Sequence, residues 1–404
     1  MRRPMRRPHY LELENVENYQ GAADWIIYQR GANYIGLSGL DGTVLSKNAD
    51  AATVIQAVID AVPISGNTDT GNAHGAHIVL QFDDAIINTC LEADTAIRMN
   101  GHCKGGGTCL RLGDNVDDSL IRMSTGGENF GTVLEHINFE GNKANNDIGG
   151  VALVHLDGYP TMRNCFIMRS ENMGLHNEGQ DTHLTNVYVE YCDGAGIKLD
   201  GGQNQNLLNC TSWDNGGYGM LVSCDRFSMF GCRIMNNALD GFYSSGERNR
   251  IIGNHFELNG ECGVYLGGSK HSTIANNTFD DNSQKTDNTY SHVELHDSEY
   301  CVVEGNTFSG AETDDAKYCV EETGGSNAFN TICCNTCKDA QSGTISVEAG
   351  SGTPINGYGT ENAAAETPQL AWPIGTIVDF TDSADASGDG IYIKDAAGNW
   401  DKLA

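Results

Sequence analysis

Without a cofactor, the side chains of this chain best able to do chemistry are its carboxylates. Glycoside hydrolysis needs only two carboxyl groups, about 5.5 Å apart for retention or roughly 6.5–9.5 Å for inversion. Glu190, Glu257, Asp280 and Glu294 fall in short alternating segments that can face solvent, so they are the catalytic candidates. With 54 acidic residues in 404, carboxylate pairs also arise by chance. A second set suits binding. Phe166, Tyr188, Arg233 and His255 face outward in one run of segments; His176, Lys198, Tyr243, Tyr265 and Glu294 do so in another. Aromatic faces beside polar groups match sugar rings, which offer C–H faces and hydroxyls. Tyr188, Arg233, His255, Tyr243 and Tyr265 are therefore the ligand-binding candidates, although the same side chains could pack under loops or against a neighbouring subunit. Asp379, Asp382, Asp385 and Asp389 could hold a structural divalent cation. Their spacing does not match an EF-hand loop, and a solvated acidic loop explains them as well. No other cofactor is expected.

These residues are positioned by a repeat. His136, Asn164, Asn186, Asn209, Gly231, Gly253, Asn276, Gly305 and Cys334 open equivalent segments, at steps of 28, 22, 23, 22, 22, 23, 29 and 29 residues. The longer steps leave room for inserted loops. Each repeat carries runs of three to five residues, such as Arg250-Ile251-Ile252, His255-Phe256-Glu257 and Gly263-Val264-Tyr265-Leu266. Alternating apolar and polar residues signal strands, and Gly or Asn at the joins signals turns. One such unit cannot bury its own apolar face, so units must stack. No run is long enough for a helix, and the leucine-rich pattern is missing. The expected fold is all-β, a parallel β-helix with three strands per coil.

Stacking makes columns. Phe139, Ile167, Val189, Ile234, Phe256, Phe279 and Phe308 form one internal column; Ile137, Cys165, Val187, Cys210 and Cys232 form a second. The second continues as Asn254, Asn277, Asn306 and Asn335, an amide ladder. Asn215, Asn237, Asn259 and Asn282 are expected at a left-handed turn. Gly174, Gly196, Gly219, Gly241 and Gly263 are expected to need positive φ.

The chain divides into an N-terminal arm (1–35), a capping segment (36–75), the β-helix (76–350), a linker (351–370) and a small C-terminal β-module (371–404). Within the capping segment the spacing predicts an amphipathic helix over 51–62, N-capped by Asp50 and stopped by Pro63. It would cover the open end of the coils. The arm carries Arg2, Arg3, Arg6 and Arg7 before the first acid. These are either a solvated tail or a docking arm for an acidic partner. The net charge of −30 repels nucleic acid and anionic membranes. No apolar stretch is long enough to span a bilayer. The N-terminus lacks the apolar core of a secretion signal. Of the 14 cysteines, those on the inward column read as buried thiols. Cys103 with Cys109, and Cys333, Cys334 and Cys337 together, could pair or bind metal.

The Gly39-Leu40-Asp41-Gly42 turn, the Asp50-capped helix and the long coil repeat together resemble the right-handed β-helix tailspikes and pectate-lyase-like proteins. The closing Gly375-Thr376-Ile377-Val378, Gly390-Ile391-Tyr392 and Gly398-Asn399-Trp400 resemble terminal modules of virus tail and fibre proteins. The excess of acids resembles the surfaces of proteins from extreme halophiles. The resemblance as a whole is to a virion spike or tail fibre of a virus infecting halophilic archaea. It implies a virion-surface location, a homo-oligomer, most simply a trimer, and attachment to other virion proteins through the N-terminal arm. It also implies binding of a host-surface glycan or glycoprotein or, alternatively, its depolymerisation. A capsid vertex would impose five-fold symmetry instead. Polygalacturonase-type motifs are not matched: Gly101-His102-Cys103 lacks the second glycine, and Arg-Ile-Lys is absent. The nearest lyase-type set is Lys198 with Asp200 and Glu190.

Overall fold

The computed structural model describes residues 23–62, 76–101, 107–123, 130–147, 150–286, 288–310, 316–337, 340, 342–347, 351–353, 355–356, 377–380, 390–394 and 400–402. The coils run as a right-handed parallel β-helix with three strands each. In one coil these are Arg250–Ile252, His255–Glu257 and Val264–Gly267. Each pairs in parallel with its equivalent one coil on: Arg250 with Thr273, His255 with Thr278, Val264 with Val293. The first and second strands, joined by the N-terminal antiparallel strands, build a wide 24-stranded sheet, and the third strands an 11-stranded narrow sheet.

The core is a set of axial stacks. Phe256, Phe279 and Phe308 are fully buried, with ring centroids 4.9 and 4.8 Å apart. The amide ladder continues that order with polar groups. Asn277 Nδ2 donates to Asn306 Oδ1 (3.0 Å) and to the Ile251 carbonyl (2.9 Å). Its Oδ1 accepts from the Asn254 backbone N–H (2.8 Å) and from Asn254 Nδ2 (3.1 Å). Every donor and acceptor of that side chain is thus used, which removes the cost of burying it. Cys165, Cys210 and Cys232 are buried free thiols. Cys333, Cys334 and Cys337 are free as well, and Cys103 lies outside the described residues.

Two column assignments differ from the sequence expectation. Asn215, Asn237, Asn259 and Asn282 are not at the turn. They form a second buried ladder, with Nδ2 to Oδ1 distances of 2.9, 2.9 and 2.8 Å. The left-handed residue is the one before each: Asp214, Asn236, Leu258 and Asp281. The glycine column does not have positive φ either. A Cβ on Gly219 would sit 2.6 Å from both Asn237 Nδ2 and the Gly241 carbonyl oxygen. These glycines are required because the narrow sheet lies directly on the second ladder.

Helix α1 spans Ala51–Asp60; Asp50 caps it by accepting from the Thr53 N–H at 3.0 Å. It stops two residues short of the expected end because proline disfavours helical φ/ψ in the residue before it. Ala51, Ala52, Val54, Ile55, Val58 and Ile59 are buried against the first coils. Strands Trp25–Arg30 and Asn33–Ser38 form an antiparallel hairpin, and the first pairs in parallel with Ala76–Gln81. The body therefore begins inside the span expected as an arm. Arg2, Arg3, Arg6 and Arg7 lie outside the described residues. At the other end, Ile355–Asn356 still pairs with the last coil, within the expected linker. Ile377–Phe380, Gly390–Lys394 and Trp400–Lys402 form an antiparallel three-stranded sheet. Among the described residues, no helix is long and apolar enough to cross a membrane.

Candidate functional site

In a strand paired in parallel register, one side chain per coil faces out, and successive ones lie about 4.8 Å apart. The narrow sheet thereby builds a row: Glu92, Arg122, His155, His176, Lys198, Leu221, Tyr243, Tyr265, Glu294 and Glu321. Glu178 and Asp200 stand two residues beyond His176 and Lys198, on the same face.

At one end the row is a polar cluster. The His155 and His176 rings stack at 4.9 Å. His155 Nε2 lies 3.1 Å from Glu178 Oε2, and His176 Nε2 lies 2.6 Å from Asp200 Oδ1. Lys198 Nζ donates to the other oxygen of Asp200 at 2.6 Å. Burial alone would raise the Asp200 pKa, but hydrogen bonds from Lys198 and His176 outweigh it and hold the carboxyl below its usual range. Asp200 thus fixes the orientation of His176 and places a cation beside it. One ligand atom each from His155, His176 and Glu178 lies within 4.8 Å of the others, so two imidazoles and a carboxylate could hold a transition-metal ion.

The centre of the row is aromatic. Tyr243 and Tyr265 stack at 5.1 Å and 6°, with Tyr218 and His296 at either side. Their ring faces are therefore occupied by one another. They offer ring edges and hydroxyls to a ligand, a correction to the expectation of free faces. Burial, and then Glu294, raise the Tyr265 pKa, so the hydroxyl stays protonated. Glu294 accepts from Thr323 Oγ1 (2.7 Å) and from Cys262 Sγ (3.5 Å). Beneath it, buried Asp240 accepts from the Cys262 backbone N–H (2.8 Å). Desolvation, with repulsion from Glu261 and Glu294, pushes the Asp240 carboxyl up to about 7.

The sequence candidates fall on two separate faces. Glu190, Glu257 and Asp280 share a row on the wide sheet, where only Glu257 and Asp280 are on adjacent coils. Two coils stand between Glu190 and Glu257, which prevents them acting as a pair. Glu294 is on the narrow sheet, apart from all three. Burial, and then Asp214, raise the Glu190 pKa. Tyr188, Arg233 and His255 stand on the wide sheet, with Tyr188 stacked on Phe166 at 4.8 Å. Tyr243 and Tyr265 stand with the polar cluster. Asp379 lies in a described strand, whereas Asp382, Asp385 and Asp389 lie outside the described residues. His155, Glu178 and Asp240 went unrecognised. The available signal was spacing: His155 precedes His176 by 21 residues, close to one coil.

Residues 62–279 match the family described as right-handed β-helix region. The chain belongs to that family. No curated protein matches this chain at a significant level. Among solved structures, it is similar to the A-module of the Azotobacter vinelandii mannuronan C-5 epimerase AlgE4. That match has a TM-score of 0.59 at 17% identity and covers 76% of this chain and 96% of that one. It is also similar to the ORF18 protein of Geobacillus virus E2 (TM-score 0.53, 11% identity, 88% and 83% covered). A third similarity is to the enzymatically active domain of tailspike protein 2 of bacteriophage CBA120 (TM-score 0.52, 11% identity, 70% and 45% covered). At these identities the likeness is one of fold.

Proposed function

We propose that this β-helix is a virion-surface attachment protein, a spike, tail fibre or capsid turret, that binds a host-surface glycan or glycoprotein along its narrow sheet. The observation that carries this is the outward row from His155 to Glu294, which gives a linear polymer an end of paired imidazole, ammonium and carboxylate groups, a hydroxyl-bearing aromatic centre and an acidic end. A sugar chain lying along the axis meets a new side chain about every 4.8 Å, all of them polar or aromatic except Leu221. The virion placement draws support from the likeness to a phage tailspike and a virus protein, and from the basic N-terminal arm on a body of net charge −30. In this reading Arg2, Arg3, Arg6 and Arg7 dock other virion proteins. The exposed Phe166, Tyr188, Leu208 and Phe230 of the wide sheet meet neighbouring copies in a homotrimer.

The polar cluster favours a second reading, depolymerisation of the bound glycan. An imidazole oriented by a carboxylate, with an ammonium group beside it, is equipped to remove a proton next to a sugar carboxylate. His176 is the base in this reading, Asp200 the positioning residue and Lys198 the charge stabiliser; a C=C bond forms as the neighbouring glycosidic C–O bond breaks, and the His176 imidazolium returns its proton to the leaving oxygen. Incubation of the full chain with purified host-surface polysaccharide tests both. Binding without released oligosaccharide, weakened by Lys198→Ala, supports attachment. Released oligosaccharide that is lost in His176→Ala and kept in Glu190→Gln establishes the depolymerase. Absence of binding by the wild-type chain refutes both.

A further inference from the structure

A different part of the fold carries an independent inference. Between the narrow sheet and the next first strand, each coil turns through one left-handed residue: Asp181, Asn204, Arg226, Arg248, His271, Tyr300 and Phe329, with φ of 48, 58, 57, 59, 57, 55 and 54°. Their backbone N–H groups all donate to the next coil, as Arg226 does to Glu247 O (2.8 Å) and Phe329 to Ser351 O (2.9 Å). The conformation is therefore set by the coil and not by the side chain. Asn and Gly adopt it most readily; bulky residues rarely do. A second corner of the same coils follows that preference from Asn164 to Gly305, with Asn164, Asn186, Asn209, Gly231, Gly253, Asn276 and Gly305, and departs from it only at its ends, His136 and Cys334. The third, from Arg169 to Asp281, is mixed. The corner from Arg226 to Phe329 instead places large side chains where small ones fit better. Bulky left-handed residues also occur at the third corner, as Arg169, Tyr191 and Leu258, so the chemistry of this corner, not its backbone alone, sets it apart.

Within this corner Arg226 and Arg248 are adjacent cations, and its one acid, Asp181, lies two coils before Arg226 and is hydrogen-bonded to Asn204. Arg226 and Arg248, with Arg250 on the adjoining strand, line a cleft of about 440 Å³ together with Asn204, Asn206 and Ser228. All three arginines are exposed and form no ion pair among the described residues, whereas Arg98, Arg111, Arg122, Arg163 and Arg169 all do. Asp225 and Glu247 are the carboxylates next to them in the chain; Asp225 Oδ1 is turned to the Glu247 N–H at 2.8 Å. Asp181 accepts from Asn204 Nδ2 at 3.0 Å. Further along, His271, Tyr300 and Phe329 stack at 5.2 and 5.5 Å, with Tyr300 46% and Phe329 60% exposed. Stacked rings present their edges, the electropositive rim, together with the Tyr300 hydroxyl. Guanidinium groups, ring edges and a hydroxyl thus stand on successive coils over about 19 Å.

We propose that this corner is a binding track for a linear acidic polysaccharide, whose carboxylate or sulfate groups sit on Arg226, Arg248 and Arg250 and whose chain runs along the His271–Tyr300–Phe329 edge. Bidentate guanidinium contacts suit both anions. A repeating polymer fits rungs of one spacing. Nucleic acid fits poorly, because the stacked ring faces leave no platform for bases.

Titration calorimetry of the full chain in about 0.1 M salt, where the Debye length is about 10 Å, tests the track. The probes are polygalacturonate, heparin, neutral dextran and a single-stranded oligonucleotide of matched charge. The variants are Arg226→Asn/Arg248→Asn and Tyr300→Asn/Phe329→Asn. Asn suits the left-handed corner, so both variants keep or raise the thermal midpoint and remain folded. The expected result is binding of at least one acidic glycan, no binding of dextran, and about a tenfold loss of affinity in the arginine variant. The affinity that the arginine variant loses belongs to this corner, and any that it keeps belongs to the narrow-sheet site. Failure of the wild type to bind either acidic glycan overturns the proposal, as does full affinity in both variants or equal affinity for the oligonucleotide.

Discussion

Replacing Asp240 by Asn should stabilise the protein at neutral pH and leave it unchanged in mild acid. Asp240 is 5% exposed, and its carboxyl is pushed from 3.8 to about 7, first by desolvation and then by Glu261 and Glu294. An acid with a raised folded pKa keeps its proton in the native state after the unfolded chain has lost it. Stability therefore falls as pH rises from about 4 to about 7 and is flat above that. A shift of roughly three units at 1.36 kcal/mol each gives about 4 kcal/mol as the full effect. Asn is isosteric, and its amide oxygen can keep accepting the Cys262 N–H now made at 2.8 Å. Urea unfolding of both proteins at several pH values between about 4 and 8 measures the difference, in which the other carboxylates cancel. The account predicts a gap that opens with pH and favours Asp240→Asn. A gap independent of pH, or a variant less stable than wild type at the alkaline end, would refute it.

Asn277→Ala leaves the Asn254 backbone N–H without its acceptor and takes one hydrogen bond each from the Ile251 carbonyl oxygen and Asn306 Oδ1 inside the core, and should cost about 3 kcal/mol in urea unfolding. A loss below about 1 kcal/mol would mean the ladder relaxes around the gap. Gly219→Ala drives a methyl into Asn237 Nδ2 and the Gly241 carbonyl oxygen, and should cost about 2 kcal/mol or more, read from the same denaturation curves. Neutral behaviour would show that the narrow sheet can lift off the ladder. Phe230→Glu places a charge on the exposed stripe of the wide sheet and should reduce the mass found by light scattering to that of a single chain. An unchanged mass would move the subunit contact elsewhere.

The coil was legible because its period is written in residues that have few alternatives inside a stack. The buried Phe256–Phe279–Phe308 column and the Asn254–Asn335 ladder follow from spacing and side-chain type alone. The second ladder was harder to see. Asn is as good at a left-handed turn as in a buried amide stack, so Asn215 to Asn282 were placed one position out. The glycines gave the same difficulty: Gly219 and Gly253 look alike in the sequence, but the first answers to packing and the second to φ of 67°. The polar cluster was half visible. His176, Lys198 and Tyr243 were assigned outward, but the contact of His155 with Glu178 depends on the register between coils, which the inserted loops obscure. Whether an aromatic offers a face or an edge depends on its neighbour, as Tyr243 and Tyr265 show.

Hydroxyl-radical footprinting of the full chain, with and without purified host-surface polysaccharide, tests the central claim most directly. The account predicts that saturation protects His176, Tyr243 and Tyr265 on the narrow sheet and leaves Tyr188 and His255 on the wide sheet unchanged. Protection of Tyr188 and His255 with the narrow-sheet row still fully reactive would contradict it.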